Sequence, residues 1–201
     1  MHIVDGILSH PVVIGGAVLS IAGVAYGLRQ IDEDRIPQVG VLSATFFLAS
    51  HIHFPVGVTS VHLILNGLLG ITLGWAAFPA MFIALLLQAA FFGYGGLLVL
   101  GVNVLNIALP AVIVWYMFHS LVQRSAPRQA AFWAGIAGAS SIALTALMVT
   151  FSLALSGQEF RVAANLVFYI PIPVLLLEGL LTAAAVGLIV RVRPDFFAAR
   201  D

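Results

Sequence analysis

The 201-residue sequence is 62% hydrophobic and 8% charged, and its formal net charge is zero. Soluble domains carry about 25% charged residues, and a soluble globule of this composition would leave large apolar patches in water. All eight cationic side chains are arginine, which gives no basic footprint for nucleic acid, and the absence of cysteine removes disulfides, thiolate metal sites and cysteine catalysis.

These limits predict one membrane domain, residues 1–201, with an all-α fold: a polytopic helical bundle of about seven transmembrane helices, since each needs ~20 apolar residues. No cleavable signal is expected, because Met1-His2-Ile3-Val4-Asp5-Gly6 places no basic stretch before an apolar one.

In chain order the expected spans are residues 11–29, 37–53, 58–77, 79–94, 97–120, 129–155 and 165–190. Pro11 and Pro37 suit first helical positions. Arg29 to Arg35 closes the first span, and Pro55-Val56-Gly57 separates the second from the third. Phe78-Pro79, Gly93 to Gly96, Gln123 to Gln129 and Ser156 to Arg161 mark the later breaks. With the N-terminus outside, Arg29, Arg35, Arg124, Arg128, Arg191, Arg193 and Arg200 fall on the cytoplasmic side, with Arg161 alone outside. The positive-inside rule favours that orientation and a cytoplasmic C-terminus. Small residues at four-residue spacing, Gly16 with Ser20, Gly23 with Gly27 and Gly70 with Gly74, fit close helix packing within the bundle.

Polar groups in such a chain carry most of its information. Of the six histidines, His2, His51, His53 and His62 lie near the expected outer face. His10 reads as a solvated residue ahead of a helix, and His119 as an ordinary histidine near a helix C-terminus. The α-amine of Met1, the backbone nitrogen of His2 and its Nδ1 can together close adjacent chelate rings in one plane. Such a donor set suits nickel, copper or cobalt in tetragonal geometry, and a neutral imidazole suits the remaining corner. His62 is expected about a turn into the third span, with Thr59 or Ser60 as helix cap and Asn66 on the same face.

Here the sequence resembles the CbiM/NikM family, the substrate-binding membrane components of energy-coupling-factor transporters for cobalt and nickel. The matching residues are Met1-His2-Ile3 and Asp5-Gly6, then Phe54-Pro55, Thr59-Ser60 and His62-Leu63, then Gly95-Gly96-Leu97 with Gly101, Asn103 and Asn106, and Glu178-Gly179-Leu180. The resemblance implies a folded-in N-terminus and a metal held by Met1, His2 and His62. It implies no catalytic residues, and no cofactor beyond the transported nickel or cobalt. It also implies a multi-pass protein of the prokaryotic cell membrane, with a transmembrane coupling subunit and ATPase subunits as partners. A small accessory membrane subunit is a further candidate partner.

Around that site, Asp5 could fix the N-terminal loop, His51 and His53 could support a ligand, and Asn103 could satisfy buried backbone. Glu178, inside the last span, must be paired, protonated or water-lined; a structural hydrogen bond is the commoner fate and an ion relay the rarer one. Three rivals remain at this level. A haem-binding electron-transfer protein would need His51 or His53 facing His62 on separate helices. A hydrolase would need Ser60 and His62 to converge, and a gradient-driven carrier would use Glu178.

Overall fold

The computed structural model describes residues 3–56, 59–157 and 172–197, with backbone alone at 53–61 and 194–195. Its helices are α1 (His10–Leu28), α2 (Ile36–Ala49), α3 (Asn66–Leu73), α4 (Ala77–Phe92), α5 (Leu100–Arg124), α6 (Pro127–Ser156) and α7 (Ile172–Val192). Two short strands, β1 (His53–Val56) and β2 (Thr59–His62), pair antiparallel between α2 and α3. The expected third span is therefore corrected. Residues 59–62 are strand, and the helix starts four residues beyond His62, at Asn66. The N-cap position of α3 is Leu65, rather than Thr59 or Ser60.

Five helical stretches among the described residues are long and apolar enough to cross a membrane: His10–Leu28, Asn66–Phe92, Leu100–Arg124, Pro127–Ser156 and Ile172–Val192. The chain is a multi-pass membrane protein. The second of these stretches is divided, because Gly74 turns the backbone at φ +59° and a 3-10 turn, Gly74–Ala76, follows. Contacts show that its two halves run in opposite directions. Along α3, Asn66 meets Ile107, Gly70 meets Ala111, and the Ile71 carbonyl meets His119, so α3 descends beside α5 in the same sense. Along α4, Phe78 packs on Gly23 of α1, whereas Phe92 packs on His51 after α2. The turn at Gly74 thus lies at one end of the bundle, and Phe92 lies at the other.

The residues facing inward and outward invert the soluble pattern. The buried positions of α1 are Gly16, Ser20, Gly23 and Gly27, while Ile14, Val18, Leu19, Ile21 and Leu28 are exposed. Ser20 Oγ donates to the Gly101 carbonyl of α5 at 2.5 Å. On α7 the buried set is Val174, Glu178, Gly179, Thr182 and Val186, with Leu176, Leu180 and Leu188 outside. Lipid solvates leucine as well as a protein core does, so close backbone approach at small residues holds the helices together. The small-residue spacing in α1 serves this internal packing against α4 and α5.

All eight residues of α3 are buried. At about 1.5 Å per residue the helix is ~12 Å long, and it fits between α5 and α6 through glycine. A Cβ at Gly67 would lie 2.6 Å from Gly138 Cα of α6, and one at Gly70 would collide with the Ala111 carbonyl of α5. Pro110 interrupts the α5 ladder. One residue past the Asn106 carbonyl that Pro110 leaves without its helical donor, the Ile107 carbonyl accepts from Asn66 Nδ2 at 3.2 Å and ties α3 to α5.

Adjacent glycines on α1 give a direct check. A Cβ at Gly16 meets Val102 Cγ2 at 2.5 Å, and one at Gly15 meets nothing within 4 Å. Gly16→Leu is expected to destabilise the bundle by about 1–3 kcal/mol through overpacking, with Gly15→Leu near neutral, read as thermal midpoints in detergent.

Candidate metal centre

His62 ends β2 and is 7% exposed. Its Nδ1 lies 3.0 Å from the Leu63 carbonyl oxygen. A carbonyl only accepts, so Nδ1 carries the proton, and in the neutral ring the lone pair then belongs to Nε2, the arrangement typical of a metal-binding imidazole. The register places His53 opposite His62, and the Leu63 amide donates to the Ile52 carbonyl at 3.4 Å.

Beyond His62, Leu63, Ile64 and Leu65 link strand to helix, and all three are buried. Leu65 turns it into α3 at φ +54°, ψ +20°, the one positive-φ non-glycine among the described residues. The Ile64 and Leu65 amides have no ladder partner, and an unpaired one at membrane depth costs several kcal/mol, to order of magnitude. Glu178 of α7 satisfies them. Its Oε1 accepts from the Ile64 amide, and both carboxylate oxygens accept from the Leu65 amide at 2.9 Å. The carboxylate therefore stands at the N-terminus of α3, the end the helix dipole favours for a negative group. Asn66 fixes the next position by donating to Thr145 Oγ1 at 2.8 Å and accepting from Ser141 Oγ at 2.8 Å.

The N-terminal segment is strapped onto the start of α5. Asn103 accepts from the Ile3 amide at 3.0 Å and donates to the Ile3 carbonyl at 2.9 Å, and both residues are buried. The Asp5 amide donates to the Gly95 carbonyl at 2.9 Å, and its Oδ1 accepts from the Val99 amide at 3.0 Å. Gly96, at φ +120°, has to be glycine, because any Cβ there would overlap the Asp5 carboxylate. Ile3 and Leu8 join Val99, Val102, Val149 and Leu153 in a small apolar cluster under the strap, and the Ser9 amide donates to Ser156 Oγ at 3.2 Å.

Met1 and His2 lie outside the described residues, so the chelate expected there has no described geometry. Among the described residues no three His, Asp or Glu side chains gather as a metal site. His51 Nδ1 donates to the Phe47 carbonyl at 2.7 Å, within a group of Phe47, Phe92 and Tyr94 rings. Neither His51 nor His62 stands on a helix, so the facing-helix geometry of a haem pair is missing from these two.

At the opposite end of α3, His119 does more than the sequence suggests. Its Nδ1 donates to the Ile71 carbonyl at 2.8 Å, and Arg35 Nη2 donates to the Leu73 carbonyl at 3.4 Å. Both groups cap the C-terminal carbonyls of α3, and they line a polar cavity of ≈ 390 Å³ with Asp32, Gln38, Thr72 and Trp115. Sequence reasoning missed this role, and Glu178's hold on residues 64–65, because each joins elements far apart in the chain.

Residues 2–196 match the family described as the cobalt uptake substrate-specific transmembrane region, CbiM. The chain is 42% identical to a protein of Haemophilus influenzae provisionally named for metal transport, over 97% of this chain and 96% of that one. It is 34% identical to the fused nickel transport protein NikMN of Rhodobacter capsulatus, covering 86% of this chain and 52% of the longer relative. With the cobalt transport protein CbiM of Sorangium cellulosum the identity is 30%, over 97% and 93% of the two chains. A crystal structure of a truncated transition metal transporter aligns at a TM-score of 0.73 and 25% identity, covering 95% of this chain and 97% of the other. These relatives are named as transport proteins, and their cargoes, where specified, are nickel and cobalt. The chain belongs to the CbiM family of cobalt-uptake transmembrane regions.

Proposed function

We propose that this chain captures nickel or cobalt at the outer face of a prokaryotic cell membrane, as the substrate-specific component of an energy-coupling-factor importer. The metal is held by the Met1 amine, the His2 amide and imidazole nitrogens, and His62 Nε2. What supports this reading is the paired hydrogen bonding of Ile3 to Asn103, which anchors the residue next to the chelate against the bundle. A fixed His62 tautomer supports it from the other side. Asp5 orders the strap, and His51 and His53 flank the approach to His62. The Glu178 carboxylate is engaged with backbone amides, which favours a structural use over a gradient-driven relay.

In this reading the chain crosses seven times with its N-terminus outside and its C-terminus inside. The hairpin and α3 together make the third crossing, and α4 makes the fourth. Arg29, Arg35, Arg124, Arg128, Arg191 and Arg193 then gather on the cytoplasmic side. The sequence has no nucleotide-binding loop, so ATPase subunits and a coupling transmembrane subunit supply the energy, with a small accessory membrane subunit as a further partner. Metal leaves when those partners reorient the chain.

Orientation is open to labelling. Leu98 is 72% exposed at the strap end, and Ala126 is exposed at the other end. Cysteine at Leu98 should react with an impermeant thiol reagent on intact cells, and cysteine at Ala126 should not; the reverse pattern overturns the topology.

The chelate needs a free amine. Any residue added before Met1 converts that amine to a peptide nitrogen, so an unprocessed N-terminal extension should abolish tight nickel or cobalt binding in calorimetry. Undiminished affinity would rule out the N-terminal site.

Shared coordination predicts a coupled response. His2→Ala and His62→Ala should each lower affinity strongly, and the double variant should lose far less than the sum. Binding should also weaken as pH falls, because the donors must shed protons to bind metal. Additive losses at one pH would mean that the two residues do not share an ion.

A further inference from the structure

Glu178 is fully buried in α7 and grips a segment more than a hundred residues away. The two amides it holds, of Ile64 and Leu65, follow directly on Leu63, whose carbonyl oxygen holds His62 Nδ1. An unbroken path therefore runs from carboxylate to imidazole: Glu178, the Leu65 and Ile64 amides, the Leu63 carbonyl, then the ring. Leu65 occupies the left-handed region, which leucine rarely adopts, so this conformation depends on whatever fixes its amide. The α7 backbone that carries the carboxylate packs closely on α6. The Glu178 carbonyl would lie 2.8 Å from a Cβ placed on Gly138 of α6, and one turn further on Thr182 Oγ1 would lie 2.6 Å from it.

We propose that Glu178 is the positioning residue for the His62 imidazole, and that it thereby sets the preference for tetragonal over tetrahedral metal ions. This rests on the reading of His62 as a ligand. A four-nitrogen plane accepts nickel or cobalt when its last corner is held in that plane. Zinc prefers a tetrahedral arrangement, which a loosely held imidazole can supply by swinging out of the plane. Rigidity at residues 63–65 penalises the swing. The carboxylate touches no metal; it acts through backbone, and its effect on selectivity vanishes once the imidazole is gone.

The test is a cycle of purified full-length chains: native, Glu178→Gln, His62→Ala and the double variant. Nickel and zinc affinities are measured by competition titration, alongside the visible absorption of the nickel-loaded protein and the thermal midpoint of the metal-free protein. Gln keeps one acceptor oxygen but turns an NH₂ toward the Leu65 amide. Glu178→Gln should therefore lower nickel affinity by about 10–100-fold, as loss of a ligand-orienting partner does, while zinc affinity stays nearly constant. The nickel band should broaden or shift. In the His62→Ala background the same change should leave residual nickel binding unaltered while still lowering the thermal midpoint. Equal losses of nickel and zinc, or equal losses with and without His62, would make Glu178 merely structural and overturn the proposal. If His62→Ala itself binds nickel like the native chain, the ligand assignment fails, whatever Glu178 does. Should Glu178→Gln not fold, Glu178→Asp takes its place, with a smaller loss in the same direction expected; an unchanged nickel-to-zinc ratio in that variant also overturns the proposal.

Discussion

Backbone that leaves a helix inside a membrane must find partners for its amides within the protein, and much of this structure follows from how residues 64 and 65 meet that demand. Their amides cannot reach water or a sheet of any width. One buried carboxylate, Glu178, takes the Ile64 and Leu65 amides. The same carboxylate sits where α3 presents its unpaired N–H groups, while His119 and Arg35 sit at the carbonyl end. An eight-residue helix would be marginal alone. Here its dipole is met at both ends by side chains of complementary character from α7, α5 and the segment before α2.

That arrangement requires the flanking helices to close around α3 with little between them. Gly67 permits it against α6 and Gly70 against α5, and Gly138 and Gly179 bring α6 and α7 together. Large side chains are displaced outward, where lipid accommodates them: Phe132, Phe151 and Leu155 on α6, Leu176 and Leu180 on α7. The polar core is correspondingly specific. Asn66 bonds both Ser141 and Thr145, and Asn106 bonds Ser152; each pair joins different helices, fixing their register rather than adding apolar burial.

Much of this was legible in the sequence, and the exceptions have identifiable causes. The long helices matched because apolar length is their signal, and the small residues of α1 marked its buried face. Residues 59–65 depart from the expected helix because Val61, Leu63, Ile64 and Leu65 form a short apolar run whose periodicity separates strand from helix poorly. A usable cue was present: β-branched Val56, Val58, Thr59 and Val61 cluster around Pro55 and Gly57, a composition favouring a hairpin. Asn103 and Asp5 could be linked to the N-terminus through motif resemblance, whereas the caps supplied by Glu178, His119 and Arg35 are tertiary facts. Nothing local to those three residues encodes their partners.

In the proposed function, the strap and the hairpin would bring together donors that a single helix could not supply in one plane. A chain terminus offers an amine and an adjacent amide, but a free terminus loses conformational freedom on binding, which lowers affinity. Asn103 and the Asp5–Gly96 contact hold residues 3–5 before any ion arrives, so in the proposed function less ordering remains to be done at residues 1 and 2. Both anchors lie at the start of α5, and α5 is also the helix along which α3 descends and from which His119 caps it. A shift of α5 relative to α7 would therefore disturb the strap and the His62 segment together. Release in the proposed importer would then need no competing ligand: partner subunits that move α5 against α7 would separate the two halves of the site.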